Sequence, residues 1–118
     1  MRKLAFALVL SLPLAAFGYD RGEQVLSYCG ANPSSGLEEA MNSLHCSGYL
    51  TGIVDGVLMM QGAGPDQKQY ICPPIAISGE QTLKAVTRWL QQNPAAANES
   101  ARVSVLEALV ATYPCPQR

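Results

Sequence analysis

The sequence predicts an all-α domain, and three observations carry that expectation. Cys46, Tyr49, Leu50, Ile53, Val54, Val57 and Leu58 recur at three- and four-residue intervals, the spacing of one helical face. Ser78-Gly79-Glu80-Gln81 reads as a capping box, in which the serine and glutamine side chains each satisfy an orphan amide of a first turn. No stretch alternates apolar and polar residues long enough to make a convincing strand. The expected architecture is a small disulfide-stabilised bundle of four main helices.

Residues 1–18 stand outside that bundle. Arg2 and Lys3 form a short basic start, Leu4 to Leu14 an apolar run, and Ala16-Phe17-Gly18 the small-x-small pattern of a signal-peptidase site, with cleavage expected before Tyr19. The run is shorter than the roughly 20 apolar residues that span a bilayer. The first cysteine after it is Cys29, so no lipid-anchor cysteine follows. The expectation is a soluble, exported domain over residues 19–118, with no membrane contact once the leader is removed.

The first helix is expected from Tyr19 to Cys29, with acidic residues early and apolar residues late. Asn32-Pro33-Ser34-Ser35-Gly36 is a dense turn cluster, after which Leu37 to Leu44 adds a helical turn. The second main helix begins near Cys46 and stops at Gln61-Gly62-Ala63-Gly64-Pro65, where two glycines and a proline disfavour continuation. A polar loop, Asp66 to Tyr70, follows. The third helix runs from the capping box to Asn93, burying Leu83, Val86 and Leu90 and leaving Lys84, Arg88 and Gln91 toward solvent. Asn93-Pro94 ends one helix and starts another, since proline suits a first helical position. The last helix carries Ala101, Val105, Ala108, Leu109 and Thr112 to a stop at Pro114.

The chain has 118 residues, 14% charged and 48% hydrophobic, enough for one small core and too apolar for disorder. Eight basic side chains less Arg2 and Lys3, against nine acidic ones, leave the exported domain at a net charge of −3. Nucleic-acid binding usually shows a basic excess, so none is expected.

Cys29, Cys46, Cys72 and Cys115 would meet an oxidising compartment, and two disulfides are the expectation. Short connections make sequential helices antiparallel neighbours. That geometry joins the end of the first helix to the start of the second, Cys29–Cys46, and the approach to the third to the exit of the last, Cys72–Cys115. No C-x-x-C pair is present, which argues against zinc and against thioredoxin-like redox chemistry. His45, the single histidine, adjoins Cys46, but neighbouring helical residues point about 100° apart. A nucleophile and base need mutual reach, so no catalytic, metal or cofactor residue is assigned. Asp55, opposite the apolar face, and Glu80 are isolated carboxylates, and Asn98-Glu99-Ser100 matches a glycosylation pattern by chance.

Gly48, Gly52 and Gly56 interrupt the second helix at four-residue spacing, each at a cost of roughly 0.8–1 kcal/mol against alanine. With Met59 they form a flat stripe where another backbone could approach closely. That backbone belongs either to another helix of the same chain or to a second copy. Trp89, at the edge of the third helix's apolar face, is a candidate either for the core or for the same contact.

Cys46-Ser47-Gly48-Tyr49 with Gly52 and Asp55, then Ile71-Cys72-Pro73-Pro74, Gln81 before Trp89-Leu90, Asn93-Pro94, and Glu107-Ala108-Leu109 before Tyr113-Pro114-Cys115, resemble the Rap/Tai family of type VI secretion immunity proteins. The blocks cover residues 46–115. The resemblance implies a periplasmic, all-α, homodimeric protein that blocks a peptidoglycan amidase with a cysteine nucleophile and a histidine base, so the chemistry belongs to the partner. Asp20 to Leu44 and Gly62 to Tyr70 match none of these blocks, and partner choice could reside there. Asp66, Gln67, Lys68, Gln69 and Tyr70 are the candidate partner-binding residues, because a cleft-plugging inhibitor needs a projecting segment. A small helical periplasmic chaperone is the alternative, against which the shortage of titratable groups for a charge switch counts.

Overall fold

The computed structural model describes residues 18–62, 64 and 66–117, so the expected leader lies almost wholly outside the described residues. The described chain is helical: α1 (Gly22–Cys29), α2 (Leu37–Gln61), α3 (Gly79–Gln92), α4 (Pro94–Ala97) and α5 (Ala101–Thr112). Helices α1, α2, α3 and α5 enclose one core, with Val25, Leu50, Val86, Leu90, Val105 and Leu109 fully buried. Among the described residues no helix is long and apolar enough to cross a membrane.

Three element boundaries differ from expectation. Helix α1 starts at Gly22 rather than Tyr19, because Arg21 is extended (φ −130°, ψ 154°) and the chain there is tied to the turn before α5. Helix α2 is one continuous helix of 25 residues from Leu37, not a turn followed by a helix at Cys46. Gly36 is its N-cap, Glu38 and Glu39 stand in its first turn where the macrodipole favours acids, and no proline or turn cluster separates Leu44 from Cys46. Cys46 therefore lies well inside α2. The turns before it project past the end of α1 and leave Leu37, Met41 and Leu44 exposed.

The segment after Pro94 divides into the four-residue α4 and the separate α5. The intervening turn is held from outside. Gly22 N–H donates to Glu99 O (3.0 Å), Ala101 N–H donates to Asp20 O (3.0 Å), and the Arg21 guanidinium donates to Asn98 O (2.9 Å). The chain before α1 thus straps the α4–α5 turn, a tertiary contact that overrides local helix preference. Gly22 makes it possible, since a Cβ there would stand 2.8 Å from Ser104 Cβ and 2.9 Å from Ala97 Cα.

The α3 start is the capping box. Gln81 N–H donates to Ser78 Oγ (3.1 Å), while Ser78 N–H donates to Gln81 Oε1 (2.9 Å). Thr82, Val86, Thr87 and Leu90 are its buried positions, and Leu83 packs against the core from its edge. Cys29 is bridged to Cys46 (Cα–Cα 5.3 Å) and Cys72 to Cys115 (Cα–Cα 4.9 Å). The first bridge fixes α1 to the body of α2. The second ties the approach to α3 to the exit of α5.

Candidate functional site

The loop after α2 is exposed over residues 66–70, and the chain on either side of it is held. At the departing end Gly62 has φ 62°, ψ −179°, a conformation essentially reserved for glycine. At the returning end the Gln61 side chain, 5% exposed, makes three hydrogen bonds. Its Nε2 donates to Ile71 O (2.8 Å), and its Oε1 accepts from Tyr70 N–H (3.0 Å) and Ile71 N–H (3.2 Å). Ile71 is fully buried in the core. The next residue, Cys72, donates its N–H to Tyr113 O (2.9 Å) and carries the second disulfide.

Between these anchors Asp66, Gln67, Lys68, Gln69 and Tyr70 are all exposed. Gln67 N–H donates to Gly64 O (3.1 Å), giving the tip a turn, and the Lys68 ammonium lies 5.2 Å from the Tyr70 ring centroid. A cation over an aromatic face contributes about 0.5–1 kcal/mol at an exposed site. The loop therefore offers a carboxylate, an ammonium, two amides and a phenol on a closed frame. Gln61 was not among the residues singled out by sequence. A polar side chain at the end of an apolar helix is an ordinary solvent position, and nothing in the pattern marks it as a clamp.

The glycine stripe lies elsewhere. Among the described residues a Cβ built on Gly48, Gly52 or Gly56 meets nothing within 4 Å, so none of α1, α3, α4 or α5 docks there. The close helix approach occurs instead at Gly79, where a Cβ would stand 2.8 Å from Ser47 Oγ. Met59, 83% exposed, continues the open face. Trp89 is half-buried and packs against the core.

A groove of about 810 Å³ runs between the end of α1, the projecting turns of α2 and α3, lined by Leu44, Ser47, Leu83, Lys84, Thr87 and Arg88 among others. On its rim Lys84 pairs with Glu80 at 2.7 Å, and that hydrogen bond, with the lysine charge, holds the Glu80 carboxyl below its usual range. The Thr87 hydroxyl is buried without a hydrogen-bond partner among the described residues.

Around the start of the domain, the Tyr19 ring stacks on Tyr28 (centroids 5.6 Å), meets Tyr49 edge-on (4.9 Å) and lies 5.1 Å from the His45 ring. Burial raises the Tyr19 phenol above its ordinary pKa, with Tyr28 and Tyr49 adding to the shift. Burial likewise raises Tyr49, against an opposing effect of Arg102. His45 thus packs on an aromatic ring. Its neighbour Cys46 is bridged, so the sulfur is not available as a thiolate nucleophile.

These features define an all-α, doubly bridged domain that presents a loop anchored at its ends and, among the described residues, an open helix face. Residues 21–115 match the family profile described as Rap1a immunity proteins, and the chain belongs to that family. No curated protein and no solved structure gives a significant match.

Proposed function

We propose that this chain is a periplasmic immunity protein that binds a cognate type VI peptidoglycan amidase and occludes its active site. It is exported through the leader at residues 1–18 and acts as a homodimer. The immunity family implies a cognate effector protein as partner. The two disulfides fit an oxidising compartment. The chain works by binding, and the hydrolytic chemistry belongs to the effector.

The pinned loop is the observation that carries the reading. An inhibitor that fills an enzyme cleft loses affinity to the ordering of whatever it inserts, and a segment held at both ends in advance reduces that loss. Gly62, Gln61, buried Ile71 and the Cys72–Cys115 bridge supply that restraint, while Asp66 to Tyr70 remain free to be read by a partner. The loop's polar side chains and its Tyr70 ring also suit a specific, partly wet interface.

The test is periplasmic co-expression with the effector. The intact protein restores growth, and a variant with Asp66 through Tyr70 replaced by a Gly-Ser segment folds normally but fails to protect. Full protection by that variant would reject the loop as the occluding element, and lysis in the presence of the intact protein would reject the immunity reading for that pair.

A further inference from the structure

Among the described residues one face of α2 is unpartnered along almost its whole length. Leu37 is 79% exposed, Met41 61%, Leu44 73% and Met59 83%, and between them Gly48 and Gly52 look into open space. At 3.6 residues per turn these positions share one side of the helix, opposite buried Cys46, Leu50 and Val54. From Leu37 to Met59 the strip is about 33 Å long at 1.5 Å per residue. Large apolar side chains at this exposure, aligned on one face, mark a contact surface rather than scattered exposure.

We infer that a second copy of this chain covers that face, with the two α2 helices antiparallel and related by a two-fold axis level with Leu50. This deepens the homodimer reading above and rests on it. The choice of occupant comes from the face being complementary to itself. A two-fold at that level sets Gly48 of each copy opposite Gly52 of the other and Met41 opposite Met59. It also sets the His45 imidazole, which carries an N–H donor, opposite the Asp55 carboxylate, which accepts. Both are exposed. Among the described residues the ion pairs are Arg21–Glu23 and Glu80–Lys84, and Asp55 belongs to neither. Moving the axis one half-turn of helix, to Gly52, would set Asp55 against Tyr49, which is half-buried on its own core, and part the imidazole from the carboxylate.

The glycines then acquire a use. Without side chains at the crossing, the two axes can come as close as, or closer than, the usual 8–10 Å, and the methionines on either side adapt to the space left between them. An isologous contact of this kind closes at two subunits, since each copy's strip is consumed by the other.

Sedimentation of the exported domain, with helicity checked by circular dichroism, tests the seam. A Cβ at position 52 meets no described atom within 4 Å, so Gly52→Leu yields a folded protein whose dimer dissociation constant rises at least about tenfold through overpacking of the crossing. His45→Asp sets like charges together and weakens the dimer. His45→Lys keeps the dimer intact, and the exchange His45→Asp with Asp55→His restores it. A dimer indifferent to Gly52→Leu and His45→Asp would overturn this seam while leaving the homodimer reading standing. A wild-type chain that sediments as a monomer throughout would overturn both.

Discussion

Gln61 and Tyr19 show how much a single buried polar atom decides here. Removing the Gln61 side chain leaves Tyr70 N–H, Ile71 N–H and Ile71 O without their partners, and an unsatisfied buried group costs about 1–3 kcal/mol. Gln61→Ala should therefore lower unfolding stability by about that amount in urea titration, and should also raise amide exchange at Tyr70 and Ile71. Unchanged exchange there would show that the loop does not depend on the clamp. The Tyr19 hydroxyl is the converse case, buried with no hydrogen-bond partner among the described residues. Tyr19→Phe keeps the three ring contacts and removes the unsatisfied group, so it should be neutral or stabilising by up to about 1 kcal/mol. The same phenol also sets an alkaline limit. Its pKa is raised in the fold, so its contribution is fully present below the unfolded value near 10.0 and is lost as pH rises through the folded value. Stability measured from pH 9 upward should fall less steeply in Tyr19→Phe. An equally steep fall would place the alkaline sensitivity elsewhere, with Tyr49 the next candidate.

Among the elements, what pattern and capping chemistry could reveal was local. The apolar spacing of α2, the reciprocal Ser78–Gln81 cap of α3 and the Pro94 start of α4 all follow from neighbours within a turn or two, and the structure has helices at each. The α2 start at Leu37 was less legible, because a turn-rich segment just upstream and small polar residues at Ser43 and Ser47 weaken the periodicity there. The α4–α5 break was not legible at all. It depends on the Arg21 strap and on room at Gly22, both some 77 residues away in sequence from the turn they hold. Gly22→Ala should push against Ser104 and Ala97 backbone and cost about 1–3 kcal/mol, the usual range for overpacking. A melting temperature equal to wild type would mean the strap yields freely. The bridges act on element positions in the same way. Replacing Cys72 and Cys115 together by serine releases a loop of 43 residues in sequence separation, which chain-entropy reasoning values at about 4 kcal/mol. Chemical denaturation should show a loss of that order. A loss below about 1 kcal/mol would mean that the unfolded chain is already compact.

At the scale of the whole molecule, the chain has separated its stability from its contact surfaces. Core residues of α1, α2, α3 and α5 and two bridges hold the body, while the 66–70 loop and the outer face of α2 contribute little to it. Fold class and family were legible because helical period, caps and cysteine blocks are written into the sequence. The surfaces were legible only as places: the glycine stripe could be seen, but whether it faced another helix of the chain depended on packing, and the restraint on the loop depended on Gln61 and Ile71. The division implies that the loop can be altered without unfolding the protein. The most direct measurement is digestion of peptidoglycan by the purified effector amidase in the presence of equimolar protein. Inhibition by the intact chain, lost when Asp66 through Tyr70 are replaced by a Gly-Ser segment with helicity and thermal unfolding unchanged, is the predicted result. Inhibition retained by that variant would contradict the account of the loop, and an amidase left fully active by the intact chain would contradict the proposed function itself.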